Sequence, residues 1–146
     1  MVNLLDVVEE FDGVRHLGDW TIDGRALGAW MSRWTPSGPR VSANGSVRTQ
    51  NSDDLLALLG RSGSQLPSGR VPLYACSQCA DLGCGTVAVR VGREVAPSGD
   101  RVVTWSDFAW ESDDSSDLQA DDEFADVPVL RFDATRYEAL VNQLTR

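Results

Sequence analysis

The sequence predicts an α+β domain in which an antiparallel sheet, formed mainly by residues 71–132, carries three amphipathic helices. Three observations predict this fold class. Apolar residues recur at helical spacing in separate stretches, they alternate with other residues in the second half of the chain, and turn-forming pairs divide the stretches. With 146 residues the chain has the size of one domain, so we assign residues 1–146 to a single core.

Three segments have the pattern of helices, namely 25–34, 52–59 and 133–145. In the first and last, large apolar residues fall at i, i+3, i+4 and i+7, which is one face of a helix. Ser52 and Asp133 are typical N-cap residues at the start of the second and third segments, and Gly60 is a typical C-terminal stop for the second. We therefore expect all three to pack one apolar face on the sheet.

The strands are predicted from alternation and turn chemistry. Residues 2–11 fit either a short helix or an opening strand, whereas 20–22 indicates a brief strand before the turn at Asp23-Gly24. Asn44-Gly45 favours a small hairpin between 40–43 and 46–49. Four further strands are expected in the second half of the chain, at 71–76, 87–91, 102–110 and 127–132. Of these, 87–91 and 102–110 are expected to pair as an antiparallel hairpin.

Three cysteines, Cys76, Cys79 and Cys84, form a C-x₂-C-x₄-C cluster between two of these strands. Thiolates at this spacing can occupy three corners of a tetrahedral zinc site, in which Asp81, His16 or another carboxylate would have to supply the fourth ligand. Two other interpretations stay open. The cysteines can be small core residues at a tight strand corner, or a thiol redox pair, although such a pair normally opens a helix.

The segment Leu73-Tyr-Ala-Cys-Ser-Gln-Cys-Ala-Asp-Leu-Gly-Cys-Gly85 resembles a stretch found in small uncharacterised bacterial proteins. In those proteins a valine-rich strand, a Val-x-Trp-x-Asp-Phe strand, an acidic loop and a Phe-Asp-x-x-x-Tyr-Glu helix follow, as they do here at 103–108 and 132–138. The resemblance covers about the second half of the chain and implies no activity. It does imply that the three cysteines belong to one structural unit.

The charge of the chain restricts its partners and its chemistry. Thirteen basic residues, all of them arginine, oppose 22 acids and give a net charge of −9, so direct binding to nucleic acid or an anionic membrane is disfavoured. The absence of lysine excludes a lysine Schiff base and a P-loop. The N-terminus lacks the pattern of a signal peptide and no apolar run is long enough for a membrane helix, which predicts a cytoplasmic protein.

A dense acidic loop, residues 111–126, follows the strand that ends near Trp110. Such a loop is either a solubilising insert or a surface that presents carboxylates to a basic cleft. Trp110 and Phe124 flank it, and an aromatic anchor beside charged groups is common in tight interfaces. The loop contains eight acids, which are Glu111, Asp113, Asp114, Asp117, Asp121, Asp122, Glu123 and Asp126.

Catalysis has little support in the sequence. His16 is the single histidine and stands in no motif, and neither a nucleophile elbow nor a zinc-protease motif is present. We therefore predict a non-enzymatic binding protein without a cofactor, specifically an inhibitor or immunity protein that blocks the basic cleft of a toxin or nuclease. The alternatives are an accessory or regulatory domain stabilised by zinc on the three cysteines, and a thiol-dependent enzyme.

Overall fold

A computed structural model describes residues 2–11, 16–34, 46–49, 52–64, 66, 68–76, 86–111, 124 and 126–145. The elements in these residues follow one another in the order β1 (Leu5–Phe11), β2 (His16–Ile22), β3 (Arg25–Ala26), α1 (Leu27–Trp34), β4 (Ser46–Arg48), α2 (Ser52–Leu58), β5 (Val71–Pro72), β6 (Tyr74–Cys76), β7 (Thr86–Val95), β8 (Arg101–Glu111), β9 (Leu130–Asp133) and α3 (Ala134–Leu144). The α+β class predicted from the sequence is confirmed.

The first half of the chain forms a sheet of its own, with strand order β1-β2-β3 and antiparallel pairing throughout. β1 is therefore a strand, which settles the choice between helix and strand. The predicted turn after β2 is confirmed, because both of its residues have positive φ, 54° at Asp23 and 86° at Gly24. Glycine adopts this backbone conformation without the steric cost that a side chain adds.

A second sheet has the order β5-β7-β8-β9, and its long β7–β8 hairpin confirms the pairing predicted from the alternating valines. A third, two-stranded sheet joins β4 to β6. Residues 46–48 thus pair with 74–76, while the predicted partner strand at 40–43 and its turn lie outside the described residues. A parallel bridge between Asn3 and Phe132 links the start of the chain to β9.

The helices begin and end close to their predicted limits, and the Asp133 side chain accepts a hydrogen bond from the backbone N–H of Arg136, as expected of an N-cap. The predicted arrangement of three helices on one sheet of residues 71–132 is wrong. α1 contacts the first sheet, where the indole of Trp30 donates to the carbonyl of Ile22, and α2 contacts α3 as well as β5. Helical periodicity identifies the buried face of a helix but does not identify what covers it.

The buried side chains form one main cluster that draws on all three sheets and all three helices. Trp105 of β8 lies at its centre, fully buried, with edge-to-face contacts to Trp20 and Phe132 at ring-centroid distances of 5.6 and 5.0 Å. Residues from both halves of the chain therefore share one interior. In the described part of the chain, no helix combines the length and the apolar character needed to span a bilayer.

Candidate protein-binding site

Nearly all of the net charge of the protein lies in one segment. Residues 111–126 contain eight acids and no arginine, so the remaining 14 acids face 13 arginines and leave a net charge of −1 on the rest of the chain. A charge of −8 within 16 residues generates a local field that attracts cations and repels anions. This segment is therefore the electrostatic feature that any partner would meet first.

The rest of the molecule pairs many of its charges internally. Four ion pairs on the second sheet and its surroundings join guanidinium and carboxylate groups: Arg70–Asp107 at 2.9 Å, Arg90–Asp107 at 2.7 Å, Arg93–Glu138 at 3.0 Å and Arg131–Glu94 at 2.9 Å. These arginines are held by local carboxylates.

Both flanks of the acidic segment are attached to the fold. At its start, Glu111 is the last residue of β8 and pairs in register with Thr86 of β7. At its far end, the Phe124 ring is 8% exposed and belongs to the main core cluster, and the backbone N–H of Val127 donates to the Phe124 carbonyl at 3.2 Å. The structure thus describes an attachment point at each end of the segment.

The sequence predicted aromatic contact residues beside the acids. Phe124 is in the core cluster, and so are Trp105 and Phe108, which are 0% and 5% exposed. These three rings are buried in the core and offer little surface to a partner. The Trp110 backbone is in β8, but its side chain lies outside the described residues.

Of the predicted acidic residues, Asp126 is described and exposed, and Glu111 is described as the last backbone position of β8. Six others lie outside the described residues: Asp113, Asp114, Asp117, Asp121, Asp122 and Glu123. The structure therefore describes the segment at Glu111, Phe124 and Asp126.

Four strand ends meet at one end of the molecule, which we call the loop end and define by Ser46, Cys76, Thr86 and Glu111. Ser46 begins β4 opposite Cys76, which ends β6, and Thr86 begins β7 opposite Glu111, which ends β8. β6 also lies beside β7. The antiparallel pairing brings these ends together although they are far apart in sequence.

The loop end gathers the sequence features that carry chemistry. The segment 77–85, with two of the three cysteines, joins the ends of β6 and β7, and the acidic segment leaves from the end of β8. The predicted bracketing of the cysteines by strands is confirmed for Cys76 and Thr86. Cys79 and Cys84 lie outside the described residues, and within the described ones no three His, Cys, Asp or Glu side chains come together as a metal site.

A cluster that sequence reasoning missed lies in β8 four residues before the acidic segment. Asp107 has a φ of 53°, at a point where the pairing of β7 and β8 shifts register. Its carboxylate accepts from Arg70 at 2.9 Å and from Arg90 at 2.7 Å. Burial raises the pKa of Asp107, but the hydrogen bonds and charges of these arginines outweigh it, so the pKa lies below its usual value.

This cluster fixes the course of β8 before it reaches the loop end. A β-bulge adds a residue to one strand and turns the side chains that follow. The sequence contains a trace of the bulge, because the large apolar residues Val103 and Trp105 occupy odd positions whereas Phe108 and Trp110 occupy even ones. The two arginines come from other segments, so local spacing does not indicate them.

Two carboxyl groups, the half-buried Asp19 and the buried Asp54, are the remaining candidates for chemistry. Asp19 accepts hydrogen bonds from the Tyr74 hydroxyl at 2.5 Å and from the backbone N–H groups of Trp20 and Gly28 at 2.7 and 3.0 Å. Burial raises its pKa even though these bonds lower it, and burial also raises the pKa of Tyr74. These hydrogen bonds connect β2 to α1 and to β6, so Asp19 has a structural role.

Asp54 of α2 is 3% exposed, and its Oδ2 accepts from the Thr49 hydroxyl at 3.2 Å while Oδ1 has no hydrogen-bond partner among the described residues. Burial raises the pKa of Asp54, which favours the neutral carboxyl form. His16 occupies the first position of β2 opposite Phe11, and its side chain lies outside the description. Neither Asp19 nor Asp54 has a base and a nucleophile beside it among the hydrogen-bond partners that the described residues provide.

No protein-family model, curated protein or solved structure matches this chain. The resemblance to small bacterial proteins therefore stays a prediction, and the functional argument rests on charge and geometry.

Proposed function

We propose that the protein is a non-enzymatic binding protein of the cytoplasm that blocks a basic cleft of another protein with its acidic segment, residues 111–126. An inhibitor or immunity protein that acts on a toxin or nuclease fits this description best. The observation that carries the proposal is the concentration of eight of the nine net negative charges in this single segment. A cleft that binds a phosphate backbone presents cations, and a chain of carboxylates competes for the same cations.

Attachment of the segment at both flanks supports the same function. A charged segment that is held in place loses less conformational entropy on binding than a free tail does. Phe124 has the role of an anchor within the molecule, which differs from the contact role expected of it from the sequence. The carboxylates and the Trp110 side chain then supply the contacts to the partner.

The test begins with capture of binding proteins from the parent cell on the immobilised chain, in about 0.1 M and about 1 M salt, where the Debye length falls from about 10 to about 3 Å. The captured protein is then purified and its association rate is measured. We expect a basic protein whose nuclease or toxic activity the chain inhibits, and an association rate that falls as salt rises.

Matched variants localise the effect. Asp113→Asn with Asp114→Asn removes two charges from the segment, and Glu94→Gln with Asp100→Asn removes two exposed charges elsewhere. The first pair should slow association several-fold more than the second. Equal effects of the two pairs, or unchanged inhibition after all eight acids are neutralised, would refute the proposal.

A second candidate is a zinc-stabilised accessory or regulatory domain. The observation in its favour is that 77–85 joins two adjacent strand ends, which keeps Cys79 and Cys84 within nine residues of chain between Cys76 and Thr86. Metal analysis of protein purified without added zinc tests it. One zinc per chain, lost together with thermal stability in Cys84→Ser, supports this function, and metal-free protein of unchanged stability refutes it.

A further inference from the structure

The outer edge of β1 has no partner strand along Leu5–Phe11 among the described residues. The first sheet has the order β1-β2-β3, so β1 pairs with β2 along one side and lies at the border of that sheet. Asp23 donates its N–H to the Leu4 carbonyl at 2.9 Å, which identifies Leu4 as a residue directed toward β2. Since successive residues of a strand alternate, the N–H and C=O groups of Leu5, Val7 and Glu9 are directed outward.

The same edge is already used for pairing at its start. Asn3 donates its N–H to the Arg131 carbonyl at 2.6 Å and forms the parallel bridge to Phe132. β9 then ends at Asp133, which caps α3, so in the described ranges no strand pairs with this side of β1 beyond Asn3. Beyond this point the N–H of Val7 is bonded to the carboxylate of its neighbour Asp6 at 2.8 Å, a contact that an incoming strand can replace.

Exposed apolar side chains concentrate on this strand and the residues before it. Of the large hydrophobic residues that are exposed in the described ranges, Val2, Leu4 and Val8 are 48, 48 and 44% exposed and lie on the same face of the extended chain. Beside them is a cleft of about 400 Å³, where residues 2–5 face the start of α3, and the buried rings of Phe132 and Tyr137 contribute to its lining. An edge of this length with apolar side chains beside it is a template for strand addition.

Charge identifies the occupant. β1 contains Asp6, Glu9 and Glu10 and no basic residue. In the antiparallel register that pairs all seven residues of two copies, Asp6 would lie opposite Glu10 twice, and like charges in opposite positions destabilise a sheet. A strand that carries basic residues would instead place a cation opposite each acid.

We propose that the outer edge of β1 is a second interaction surface, which binds an extended, basic segment of another protein as an added β-strand. Its backbone groups bond to the outward groups of β1, an apolar residue lies opposite Val8, and basic residues lie opposite the positions of Asp6, Glu9 and Glu10. This surface belongs to another part of the sequence than the acidic segment 111–126 and does not depend on the function proposed for that segment.

The probe is a seven-residue peptide with blocked ends, Val-Lys-Lys-Val-Val-Lys-Val, which in antiparallel register places lysine opposite Asp6, Glu9 and Glu10 and valine opposite the other residues of β1. Binding is measured by calorimetry, and the site by amide chemical shifts. The controls are the same peptide with N-methylated amides, which keeps the charge but cannot pair as a strand, and the peptide with glutamate in place of lysine. We expect the N-methylated peptide to bind about tenfold more weakly or worse, because it loses several hydrogen bonds, and shifts at Leu5, Val7 and Glu9.

Two variants test the protein side. Val7→Pro removes an outward N–H while leaving the ladder to β2 intact, a substitution that edge strands tolerate, and it should abolish binding. Asp6→Arg with Glu9→Arg should reverse the preference toward the glutamate peptide. The chain with all eight acids of 111–126 neutralised should bind the lysine peptide as the unmodified chain does.

Three outcomes would overturn the proposal. Equal binding of the N-methylated peptide would mean general attraction to an acidic protein. Chemical-shift changes confined to Glu111, Asp126 and Val127 would mean that the peptide binds at the acidic segment. A concentration-dependent dimer in ultracentrifugation that Val7→Pro abolishes would mean that the edge pairs with a second copy of the chain.

Discussion

The indole N–H of Trp105 donates to the hydroxyl of Tyr137 at 3.0 Å, and that hydroxyl donates in turn to the carbonyl of Leu58 at 2.9 Å. This relay connects β8, α3 and the end of α2 through fully buried groups. It gives hydrogen-bond partners to the indole N–H of Trp105 and to the Leu58 carbonyl at the end of α2. Without the Tyr137 hydroxyl, both groups would be buried with neither a protein nor a water partner. Burial raises the pKa of Tyr137, so the hydroxyl remains a donor across the accessible pH range.

Tyr137→Phe removes the relay without changing the shape of the core. We expect the free energy of unfolding to fall by about 1–3 kcal/mol, because the indole N–H and the Leu58 carbonyl stay buried without a partner. Urea denaturation measures the change. Thr135→Ala, which removes an exposed hydroxyl from the same helix, should change the stability by less than about 0.5 kcal/mol. Equal effects of the two variants would contradict the relay.

Asp107 should stabilise the fold above about pH 4 and lose this contribution in acid. Its folded pKa lies below the model-peptide value of 3.8, so the unfolded chain takes up the proton first as the pH falls. The side chain is half exposed, which limits the contribution to less than about 1 kcal/mol. Denaturation at pH 3 to 7 should show a smaller acid loss in Asp107→Asn than in the unmodified protein.

The backbone conformation of Asp107 gives a second measurement at the same site. Asparagine tolerates positive φ, whereas alanine costs about 1–2 kcal/mol in that region. Asp107→Ala should therefore be less stable than Asp107→Asn at every pH. Equal stability of the two variants would mean that the bulge does not constrain this residue.

Asp54 should act in the opposite direction. Burial raises its folded pKa above 3.8, so the unfolded chain releases its proton first as the pH rises, and stability falls from about pH 4 until the folded carboxyl ionises. Denaturation between pH 4 and 7 should show a smaller decline in Asp54→Asn, whatever its absolute stability. Asp126→Asn, at an exposed position, should keep the full decline, and an unchanged decline in Asp54→Asn would contradict the raised pKa.

How much the sequence predicts depends on whether the cause is local. α3 was predicted within a residue at each end, because an N-cap at Asp133 and apolar spacing act within one segment. The hairpin β7–β8 was predicted for the same reason. β1 could not be assigned from the sequence, because the spacing of its apolar residues fits both a helix and a strand. Its pairing with β2, which comes from tertiary structure, makes it a strand.

The site divides in the same way. The charge of 111–126 can be counted from the sequence. The proximity of the four strand ends cannot be predicted in this way, because it arises from pairing between distant segments such as Ser46 with Cys76. The arginines on Asp107 come from two other segments, so their carboxylate could not be singled out among 22 acids. Phe124 was identified as important, but its burial, which makes it an anchor, follows from tertiary packing.

Phe124→Ala should separate attachment of the acidic segment from its charge. Loss of a buried ring costs about 3–5 kcal/mol when the site is fully packed, and because Phe124 lies at the border of the core we expect the lower part of this range. Cleavage by a protease specific for acidic residues should become faster between 111 and 126, since Phe124 no longer holds the far flank. With the net charge unchanged, the salt dependence of association with the basic partner should persist while the complex dissociates faster. Val129→Ala, at a side chain that is 43% exposed, is the matched control. Unaltered proteolysis and dissociation in a folded Phe124→Ala protein would show that the acids act without an anchor.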